Sequence, residues 1–405
     1  MRVAHFTDTY LPRRDGVVTS VQTLDRQLRH AGHDSLLVVP RHPDVVAEVG
    51  QQLLTLRSLP CGVAQLRLAP WPRQRHVDRV AAWRPDVVHV HTPGPAGLLG
   101  VLAARRLGLP VVHTYHTDLD AYVDAYRIPT RVLRVAVGAY RRRLGGLPPA
   151  AADGRRGLLR EGVRMLLDGA DAVVVPTPAV LDRTSLPVHP DRIRVIPTGV
   201  APASVTTGAV EDFRRRYGLA AGDRIVLAVG RVNEEKGTAL LLAAFDRLLA
   251  THPKGRLVLV GQVYDPELVR ELGRRVVVTG QLPPAEVAAA YAATQRSRGV
   301  LAFPSRTDTQ GLVLQEAAHA GVPAVMTDAG LCARGALAGA ALCAPPTVAG
   351  FATALAALLG NPVLARSLAD RARRAALAHT PGAYAGAMLG LYTEVTGVEA
   401  ARVAA

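Results

Sequence analysis

Short apolar runs alternate with helical stretches along nearly the whole chain. The first run is RVAHFTD at 2–8, and a helical segment follows from about Gly16 to Ala31. The runs are apolar at consecutive positions, which is typical of strands covered by helices on both faces. The alternation therefore predicts parallel βαβ units. Further strands of the first half are predicted at SLLVVP (35–40), DVVHVHT (86–92), PVVHTYHT (110–117), DAVVVPTP (171–178) and IRVIPTG (193–199).

The alternation is interrupted at residues 201–222, where small residues and a polar helical turn indicate a linker. The chain is therefore predicted to be an α/β protein of two Rossmann-like, doubly wound domains facing each other across a cleft, with C-terminal helices. The predicted domains are 1–200 and 201–380, followed by a helical tail at 381–405 that returns to the first domain. The second series of strands is predicted at DRIVLAVG (223–230), RLVLVGQ (256–262), RRVVVTG (274–280), GVLAFPS (299–305) and PAVMTD (323–328).

Composition excludes several classes of protein. With 49% hydrophobic residues in 405, the chain can bury two cores and is not disordered. Its three cysteines are far apart, which argues against a disulfide framework and a zinc site. The N-terminus lacks a signal-peptide pattern and no run of about 18 apolar residues occurs, so we expect a cytoplasmic protein, soluble or peripheral on the inner face of the membrane.

The segment FPSRTDTQGLVLQEAAHAGVPAV at 303–325 carries the most specific pattern. A predicted strand ends near Pro304, a polar loop contains Asp308, and Gly311 opens a helix that carries Glu316. Such spacing can put one carboxylate beside a sugar hydroxyl and the other beside a ribose diol, while N–H groups of 311–313 face a diphosphate. An ordinary capped helix with solvated acids explains the spacing equally well.

Three other groups of residues stand at predicted strand ends. Gly16 follows the first strand in a loop where bare backbone amides can approach a diphosphate, although a simple turn has the same pattern. Arg231 and Lys236 follow the strand at 223–230, where two cations can neutralise a leaving diphosphate or form a solvated charged turn. His91, His113 and His116 crowd two successive strand ends. Histidines there are more often packed or capping groups than catalysts, and no acid or cysteine completes a metal-ligand set.

These motifs resemble those of the retaining, two-domain (GT-B) glycosyltransferases of family 4. The resemblance rests on FTDTYLPRRDGVVTS, HVHTPG, VVHTYHTDLDAYV, GRVNEEKG and the carboxylate pair Asp308 and Glu316, in order over about 320 residues. The T-Q-G wording after Asp308 is closest to the diacylglycerol glucosyltransferase and mannosyltransferase branch. The chain departs from the family at Asp308, where most members have Glu, at Gln310, where many have Phe, and at Thr198, where Asn is usual.

The resemblance implies an acceptor-side domain at 1–200 and a nucleotide-sugar-binding domain at 201–380. It implies His116 and Asp308 on the transferred sugar, Arg231 and Lys236 on the diphosphate, and Glu316 on the ribose. Further donor contacts are implied for Gly16, for backbone groups of Gln281 and Leu282 beside the base, and for Gly311, Leu312 and Val313 beside the diphosphate. Asp118 becomes a candidate acceptor contact. No cofactor or metal is expected, because the nucleotide sugar is a substrate.

Positive charge is concentrated in one segment. Residues 127–164 contain ten arginines and two acids, which gives +8 of the chain's +15. The stretch VLRVAVGAYRRR has an apolar body and a cationic end, so it predicts either an interfacial helix that brings Arg141, Arg142 and Arg143 to anionic lipid or a solvated helix. Nucleic acid is not expected as a partner, because the 4% of aromatic residues offers few stacking platforms. The predominance of arginine among the cations is typical of a GC-rich, actinobacterial-type genome.

The resemblance thus implies a retaining, metal-independent hexosyltransferase that uses a nucleotide sugar of the UDP-glucose or GDP-mannose type. A membrane lipid is one acceptor it allows. A soluble natural-product acceptor of the aminoglycoside kind remains an alternative. A catalytically silent nucleotide-sugar-binding protein is another, because of the departures at Asp308, Gln310 and Thr198. An epimerase on the same scaffold would need an acid/base set that the sequence does not supply.

Overall fold

The computed structural model describes residues 1–45, 47–60, 67–69, 71–116, 129–145, 154–270 and 272–397. The chain divides into two compact units. The first contains Met1–Gly199 and the C-terminal segment that begins at Pro381, and the second contains Val200–Thr380.

Within the described residues, the first unit contains a seven-stranded parallel sheet in the order β3-β2-β1-β6-β7-β8-β9 and a two-stranded antiparallel pair, β4 and β5. Because β1 is flanked by β2 and β6, the direction of chain progression reverses between β1 and β6, as in doubly wound folds. The strands are β1 (Arg2–Phe6), β2 (Asp34–Pro40), β3 (Gln52–Leu56), β4 (Leu59–Pro60), β5 (Arg67–Leu68), β6 (Val87–Val90), β7 (Val111–Thr114), β8 (Ala172–Val175) and β9 (Ile193–Val195).

Helices separate most of these strands and bury apolar side chains against the sheet. In the third of them Pro95 occupies the first helical turn, and the backbone N–H of Ala96 donates to the half-buried carboxylate of Asp8 at 2.8 Å. The helices are α1 (Gly16–His30), α2 (Gln74–Trp83), α3 (Pro95–Leu107), α4 (Thr130–Leu144), α5 (Gly154–Leu167) and α6 (Ala179–Arg183).

In the described part of the second unit, six parallel strands follow the order β12-β11-β10-β13-β14-β15, with the same reversal between β10 and β13. The strands are β10 (Arg224–Val229), β11 (Gly255–Val260), β12 (Val276–Gly280), β13 (Val300–Phe303), β14 (Ala324–Met326) and β15 (Leu342–Cys343). The helices are α7 (Thr207–Arg216), α8 (Thr238–Leu249), α9 (Pro284–Arg296), α10 (Leu312–His319), α11 (Ala329–Arg334), α12 (Val348–Gly360) and α13 (Pro362–Ala376).

The last described helix, α14 (Pro381–Thr396), belongs to the first unit and packs beside α1. Its Tyr384 and Tyr392 are buried with Leu24 and Leu28 of α1 in one apolar cluster. The Tyr384 hydroxyl lies 3.0 Å from Oγ of Ser20, and the Tyr392 hydroxyl lies 2.6 Å from Nδ1 of His89. The helix therefore completes the core of a unit whose other residues come from the start of the chain.

Every predicted strand overlaps a strand of the structure, and the predicted α/β class of two Rossmann-like domains is confirmed. Three features were not predicted: β3, the β4–β5 pair, and β15. The segment 201–222 is not simply a linker, because α7 lies within it and buries Val210 and Phe213. Thr206 caps this helix by accepting from the backbone N–H of Ala209 at 3.2 Å.

Among the described residues, no single helix is long and apolar enough to cross a membrane. One pair, Val348–Gly360 with Pro362–Thr396, meets the length and composition requirement together but is bent by 97° at the break.

Candidate functional site

An ion-paired cluster lies at the carboxyl ends of β10 and β13, where the order of the second sheet reverses. Lys236 Nζ donates to Asp308 Oδ1 at 2.8 Å, and Arg231 Nη2 lies 2.9 Å from Glu235 Oε2. Lys236 Nζ also lies 3.6 Å from Glu235 Oε1, so the two pairs form one network. The structure thus brings together three residues that the sequence selected, together with Glu235, which it did not select. Ligands of doubly wound sheets bind at such a reversal.

The loop between β10 and α8 has a defined conformation that holds Lys236 in place. Asn233 Oδ1 accepts from the backbone N–H of Lys236 at 3.1 Å, and Thr238 Oγ1 accepts from that of Asn233 at 3.2 Å. Gly237 has φ +72°, and a Cβ there would lie 2.8 Å from the carbonyl oxygen of Pro304. Only glycine allows the loop to approach the end of β13 this closely.

Asp308 remains charged in this environment. Burial raises the pKa of its carboxyl group, but the Lys236 ammonium, the Ser305 hydroxyl and the more distant Arg231 lower it, so that the pKa lies below its ordinary value. The side chains of Lys236 and Asp308 keep 20% and 23% of their surface exposed. An anionic ligand can therefore reach the ammonium, although it must share the cation with Asp308.

The N-terminus of α10 lies beside this cluster in sequence and presents backbone donors. Gly311 caps the helix with φ +73° and contributes no side chain. It is buried, whereas Leu312 and Val313 are half-buried. Gly311 has no side chain with which to cap the helix, so the backbone N–H groups of the first turn are candidates to bind an anion.

Glu316 projects from the second turn of α10 and is half-buried. The Tyr291 hydroxyl of α9 donates to Glu316 Oε2 at 2.9 Å and lies 3.2 Å from the carbonyl oxygen of Val313. Burial raises the pKa of the Glu316 carboxyl group, and the hydrogen bond from Tyr291 lowers it by less. Tyr291 was not among the predicted residues, because a tyrosine in an alanine-rich helix carries no recognisable pattern. Gln281 and Leu282 follow β12 directly, the first exposed and the second half-buried.

The first unit holds Gly16 and His116, and Gly16 lies at the start of its first helix. Gly16 is the exposed first residue of α1, not part of a free loop, and Asp15 caps the helix. The Asp15 carboxylate accepts from the backbone N–H of Val18 at 3.0 Å and from Arg13 Nε at 2.6 Å. The Asp15 carboxylate thus lies at the N-terminal end of α1 and is paired with the Arg13 guanidinium.

His116 belongs to a larger group of histidines than the sequence indicated. His91 Nδ1 lies 3.0 Å from His116 Nε2, and His91 Nε2 lies 3.1 Å from His5 Nδ1. His89 is also buried and lies 2.7 Å from Thr114 Oγ1 through Nε2. Two signals could have found the missed members. His89 in β6 and His91 directly after it are two positions apart, so their side chains lie on the same face of the sheet. His5 in β1 is the register partner of His89.

Burial keeps these imidazoles neutral. It lowers the pKa of His5 to about 4, against a smaller opposing effect of Asp25, and that of His116 to about 4 against Asp15. It lowers the pKa of His113 to about 3 and holds those of His89 and His91 well below the ordinary value. Nitrogens of His5, His89 and His91 lie within 4.8 Å of one another, a spacing that one metal ion could bridge. In this structure both nitrogens of His89 and of His91, and Nδ1 of His5, lie within hydrogen-bonding distance of protein groups.

Some arginines of the segment 127–164 have partners within the protein, and others are exposed. Arg141 Nη2 lies 3.3 Å from Glu161 Oε1, and Arg143 Nη1 donates to the carbonyl oxygen of Pro72 at 3.0 Å, so these two guanidinium groups also have structural contacts. Arg142 is exposed, as are Arg131 and Arg134 earlier in α4. Val132 and Val135 beside them are 51% and 68% exposed. Asp118 and Arg127 lie outside the described residues.

Two family models together match most of the chain. Glycosyltransferase Family 4 matches residues 14–204, and Glycosyl transferases group 1 matches residues 209–375. The chain is 28% identical over 337 residues to an alpha-monoglucosyldiacylglycerol synthase of Streptococcus pneumoniae, over 80% of this chain and 70% of the relative. It is 29% identical over 427 aligned positions to a GDP-mannose-dependent alpha-mannosyltransferase of Mycolicibacterium smegmatis, over 100% of both chains.

The fold is similar to that of solved glycosyltransferase structures. The Anabaena protein HepE, solved in complex with UDP and glucose, matches with a TM-score of 0.70 at 16% identity, over 97% of this chain and all of that one. At 16% identity this similarity shows a shared fold only.

Proposed function

We propose that this chain, which belongs to the two-domain (GT-B) glycosyltransferases of family 4, transfers a hexose with retention from a nucleotide sugar to a hydroxyl group of a membrane lipid. The donor is of the UDP-glucose or GDP-mannose type. Both sugars are represented among the relatives, one named for glucosylation of a diacylglycerol lipid and one for use of GDP-mannose.

The ion-paired cluster of Arg231, Lys236 and Asp308 carries this proposal. Two cations at the sheet reversal provide the charge that a departing diphosphate needs, and the first-turn N–H groups of α10 add neutral donors. In this proposal Glu316 binds the ribose diol, and backbone groups of Gln281 and Leu282 border the base. In this proposal the two cations, in place of a metal ion, stabilise the negative charge of the leaving diphosphate, and no cofactor takes part.

The proposed reaction needs no protein nucleophile. The acceptor oxygen attacks the anomeric carbon from the face that the diphosphate leaves, and the bond from that carbon to the phosphate oxygen breaks. The electron pair goes to the diphosphate, which also takes the acceptor's proton. The stereochemistry is retained because attack and departure share one face. Asp308 and His116 act on the transferred sugar by orienting its hydroxyl groups, and Lys236 and Arg231 stabilise the charge that develops.

The surface of α4 supports a lipid acceptor. Val132 and Val135 expose apolar surface next to the cations of Arg131, Arg134 and Arg142. Apolar side chains flanked by arginines fit the interface of an anionic membrane, where each cation near the surface contributes about 1 kcal/mol.

A donor panel tests the transferase. The protein is incubated with UDP- and GDP-sugars and liposomes that contain diacylglycerol, and released nucleotide is measured by mass spectrometry. We expect release with one base only, and an α-linked product by NMR if the donor is α-linked. An inverted product would refute retention. Donor binding without release or transfer to any acceptor would identify a silent nucleotide-sugar-binding protein.

A flotation assay tests the membrane surface. Replacing Arg131, Arg134 and Arg142 by glutamine should abolish binding to liposomes that contain phosphatidylglycerol at low salt. The matched control replaces Arg371 and Arg374, which are exposed on α13 of the second unit, and should retain binding. Absence of wild-type binding, combined with transfer to a dissolved acceptor, would favour a soluble natural-product acceptor.

A further inference from the structure

Glu235 is an acidic residue that contacts both cations of the proposed donor site. It directly precedes Lys236 and follows Arg231 by four positions. Glu235 Oε1 accepts from Arg231 Nη2 at 3.1 Å and lies 3.6 Å from Lys236 Nζ, while Oε2 lies 2.9 Å from Arg231 Nη2. One carboxylate thus touches the two groups that are proposed to bind the diphosphate.

Two loops hold this carboxylate in place. The turn that carries Glu235 is closed by the backbone N–H of Thr238, which donates to the carbonyl oxygen of Asn233 at 3.3 Å. Thr307, in the loop after β13, donates from Oγ1 to Glu235 Oε1 at 3.1 Å. Because Thr307 directly precedes Asp308, Glu235 joins the loop after β10 to the loop that carries the second carboxylate of the cluster.

Glu235 is the most deeply enclosed member of its ion pairs. Its side chain is 8% exposed, against 18% for Arg231 and 20% for Lys236. Glu235 Oε2 is buried and receives no hydrogen bond within the described residues. Burying a charged carboxylate costs free energy that ion pairs rarely recover in full. Stability alone is therefore a weak reason for an acid at this position.

The charges of the cluster explain what such an acid can do. Arg231 and Lys236 are positive, whereas Glu235 and Asp308 are negative, so the four side chains carry no net charge. Without Glu235 the site would present one excess positive charge to a diphosphate both before and after the reaction. Attraction that acts equally at every stage raises affinity without raising turnover, and it slows release of the product.

We propose that Glu235 is a positioning residue that holds Arg231 and Lys236 ready for the diphosphate, while its charge weakens the affinity of the site for the nucleoside diphosphate product. This inference rests on the proposed function, because it assigns the diphosphate to these two cations. Long side chains lose rotamer freedom when they are held in one geometry. Glu235 imposes that order before the donor arrives, so that donor binding need not do so.

Calorimetry and steady-state kinetics of Glu235→Gln test both parts. Glutamine keeps the size of the side chain and removes its charge. The Kd of UDP or GDP, whichever the wild type binds, should fall about fivefold because a nearby negative charge is lost. At the same time kcat should fall about tenfold, because the two cations lose their anchor. Weaker binding together with lower turnover would identify a merely structural residue and overturn the proposal.

The matched control is Glu234→Gln, which removes the same charge from the neighbouring, exposed residue. Kd and kcat of this variant should stay within about twofold of the wild type, because water screens an exposed charge. Tightening of Kd equal to that of Glu235→Gln would assign the effect to the overall charge of the protein and overturn the proposal.

Two further variants separate charge from geometry. Glu235→Asp keeps the charge and shortens the side chain by one methylene, so Kd should stay within about twofold while kcat falls about fivefold. A wild-type kcat in this variant would overturn the positioning role. Thr307→Val removes one hydrogen bond to Glu235 and serves if Glu235→Gln does not fold. It should lower kcat about threefold at constant Kd, and an unchanged kcat would also overturn the positioning role.

These measurements separate the two proposals. A wild-type protein that binds a nucleoside diphosphate but transfers no sugar would refute the proposed function, and the Kd values of wild type and Glu235→Gln would still decide whether the Glu235 charge acts on the site. An active wild-type enzyme whose Glu235→Gln variant has the same Kd and kcat would overturn only the inference about Glu235.

Discussion

In both units, polar side chains lie where the strand order of the sheet reverses. In the second unit they are charged and partly exposed, whereas in the first unit they are neutral and buried. At the reversal between β10 and β13, Lys236 and Asp308 are charged and paired at 2.8 Å, with about a fifth of each side chain exposed. At the reversal between β1 and β6, His5 and His91 are almost fully buried and neutral. Burial decides the difference, because desolvation penalises the charged form.

The comparison distinguishes two tasks. A partly exposed ion pair can exchange one partner for an incoming diphosphate, since water and the remaining groups still compensate the charge. A buried chain of imidazoles cannot accept a net charge easily, but it can fix the position of each proton. The first arrangement suits binding of an anion, and the second suits orientation of a hydrogen-bonding group.

A lower pH should destabilise the first unit, which contains the buried histidines, and leave the ion pair of the second unit intact. Buried histidines with a lowered pKa are neutral in the folded state, so their contribution to stability is complete above pH 6.5 and is lost as the pH falls toward their folded values. At pH 5.5 the unfolded state gains about 1.4 kcal/mol per such histidine, or about 3 kcal/mol for His5 and His113 together. The Lys236 ammonium holds the pKa of Asp308 below its ordinary value, so its ion pair persists over this range.

Tryptophan fluorescence can follow the first unit alone, because both tryptophans, Trp71 and Trp83, belong to it. The urea midpoint by fluorescence should fall between pH 7.5 and 5.5. His113→Leu should reduce that fall, whereas substitution of the exposed His189 by Leu should not. A midpoint independent of pH would show that these imidazoles are not buried as neutral groups.

Removal of one cation tests whether the ion pair serves catalysis. Lys236→Ala should lower kcat on the order of a hundredfold or more, because the ammonium stabilises charge that develops on the leaving diphosphate. Steady-state kinetics at saturating donor measure this. Lys254→Ala is the matched control, since Lys254 is the chain's other lysine and is exposed. An unchanged kcat in Lys236→Ala would assign the pair to structure alone.

Removal of the charge of Asp308, the partner of Lys236, should affect sugar transfer more than nucleotide binding. Asp308→Asn keeps the shape of the side chain and removes its charge, so kcat should fall about tenfold while nucleoside diphosphate affinity by calorimetry changes less than about twofold. Glu316→Gln should show the reverse pattern, with weaker nucleotide binding and a nearly normal kcat. Parallel losses of binding and turnover in Asp308→Asn would contradict a role on the sugar.

A single hydrogen bond should produce the smallest effect. Tyr291→Phe removes the donor to Glu316 Oε2, a bond worth about 1 kcal/mol, so the donor KM should rise about fivefold at constant kcat. Thermal unfolding of the variant provides the control for packing. A KM equal to that of wild type would show that Tyr291 does not position Glu316 for the ribose.

The sequence predicted what depends on local pattern. Consecutive apolar residues identified the buried strands, and Gly311 was correctly predicted to open a helix, because its position needs a conformation that glycine adopts most readily. Strand β3 was missed because Gln52 and Thr55 interrupt its apolar pattern at the edge of the sheet. Short β15 offers only two residues as a signal.

Long-range partners could not be predicted from one sequence. The partner of Lys236 is 72 positions away, and His5 meets His91 across 86 positions, so only the sheet register brings them together. Gly16 stays a predicted donor contact, and the structure adds that the neighbouring Asp15 carboxylate caps α1. Arg141 looked like a surface cation, but Glu161 from the next helix engages it.

Because helix α14 belongs to the first unit but follows the second unit in sequence, the first unit cannot complete its core until the second unit has been synthesised. The second unit is a contiguous segment, whereas the first unit, although most of it is synthesised earlier, has a core that lacks Tyr384 and Tyr392 until residues 381–396 have emerged. The start of the chain must therefore wait in an incomplete state while the second unit forms. His89, whose Nδ1 lies 2.6 Å from the Tyr392 hydroxyl, acquires that partner only after the whole second unit has been synthesised.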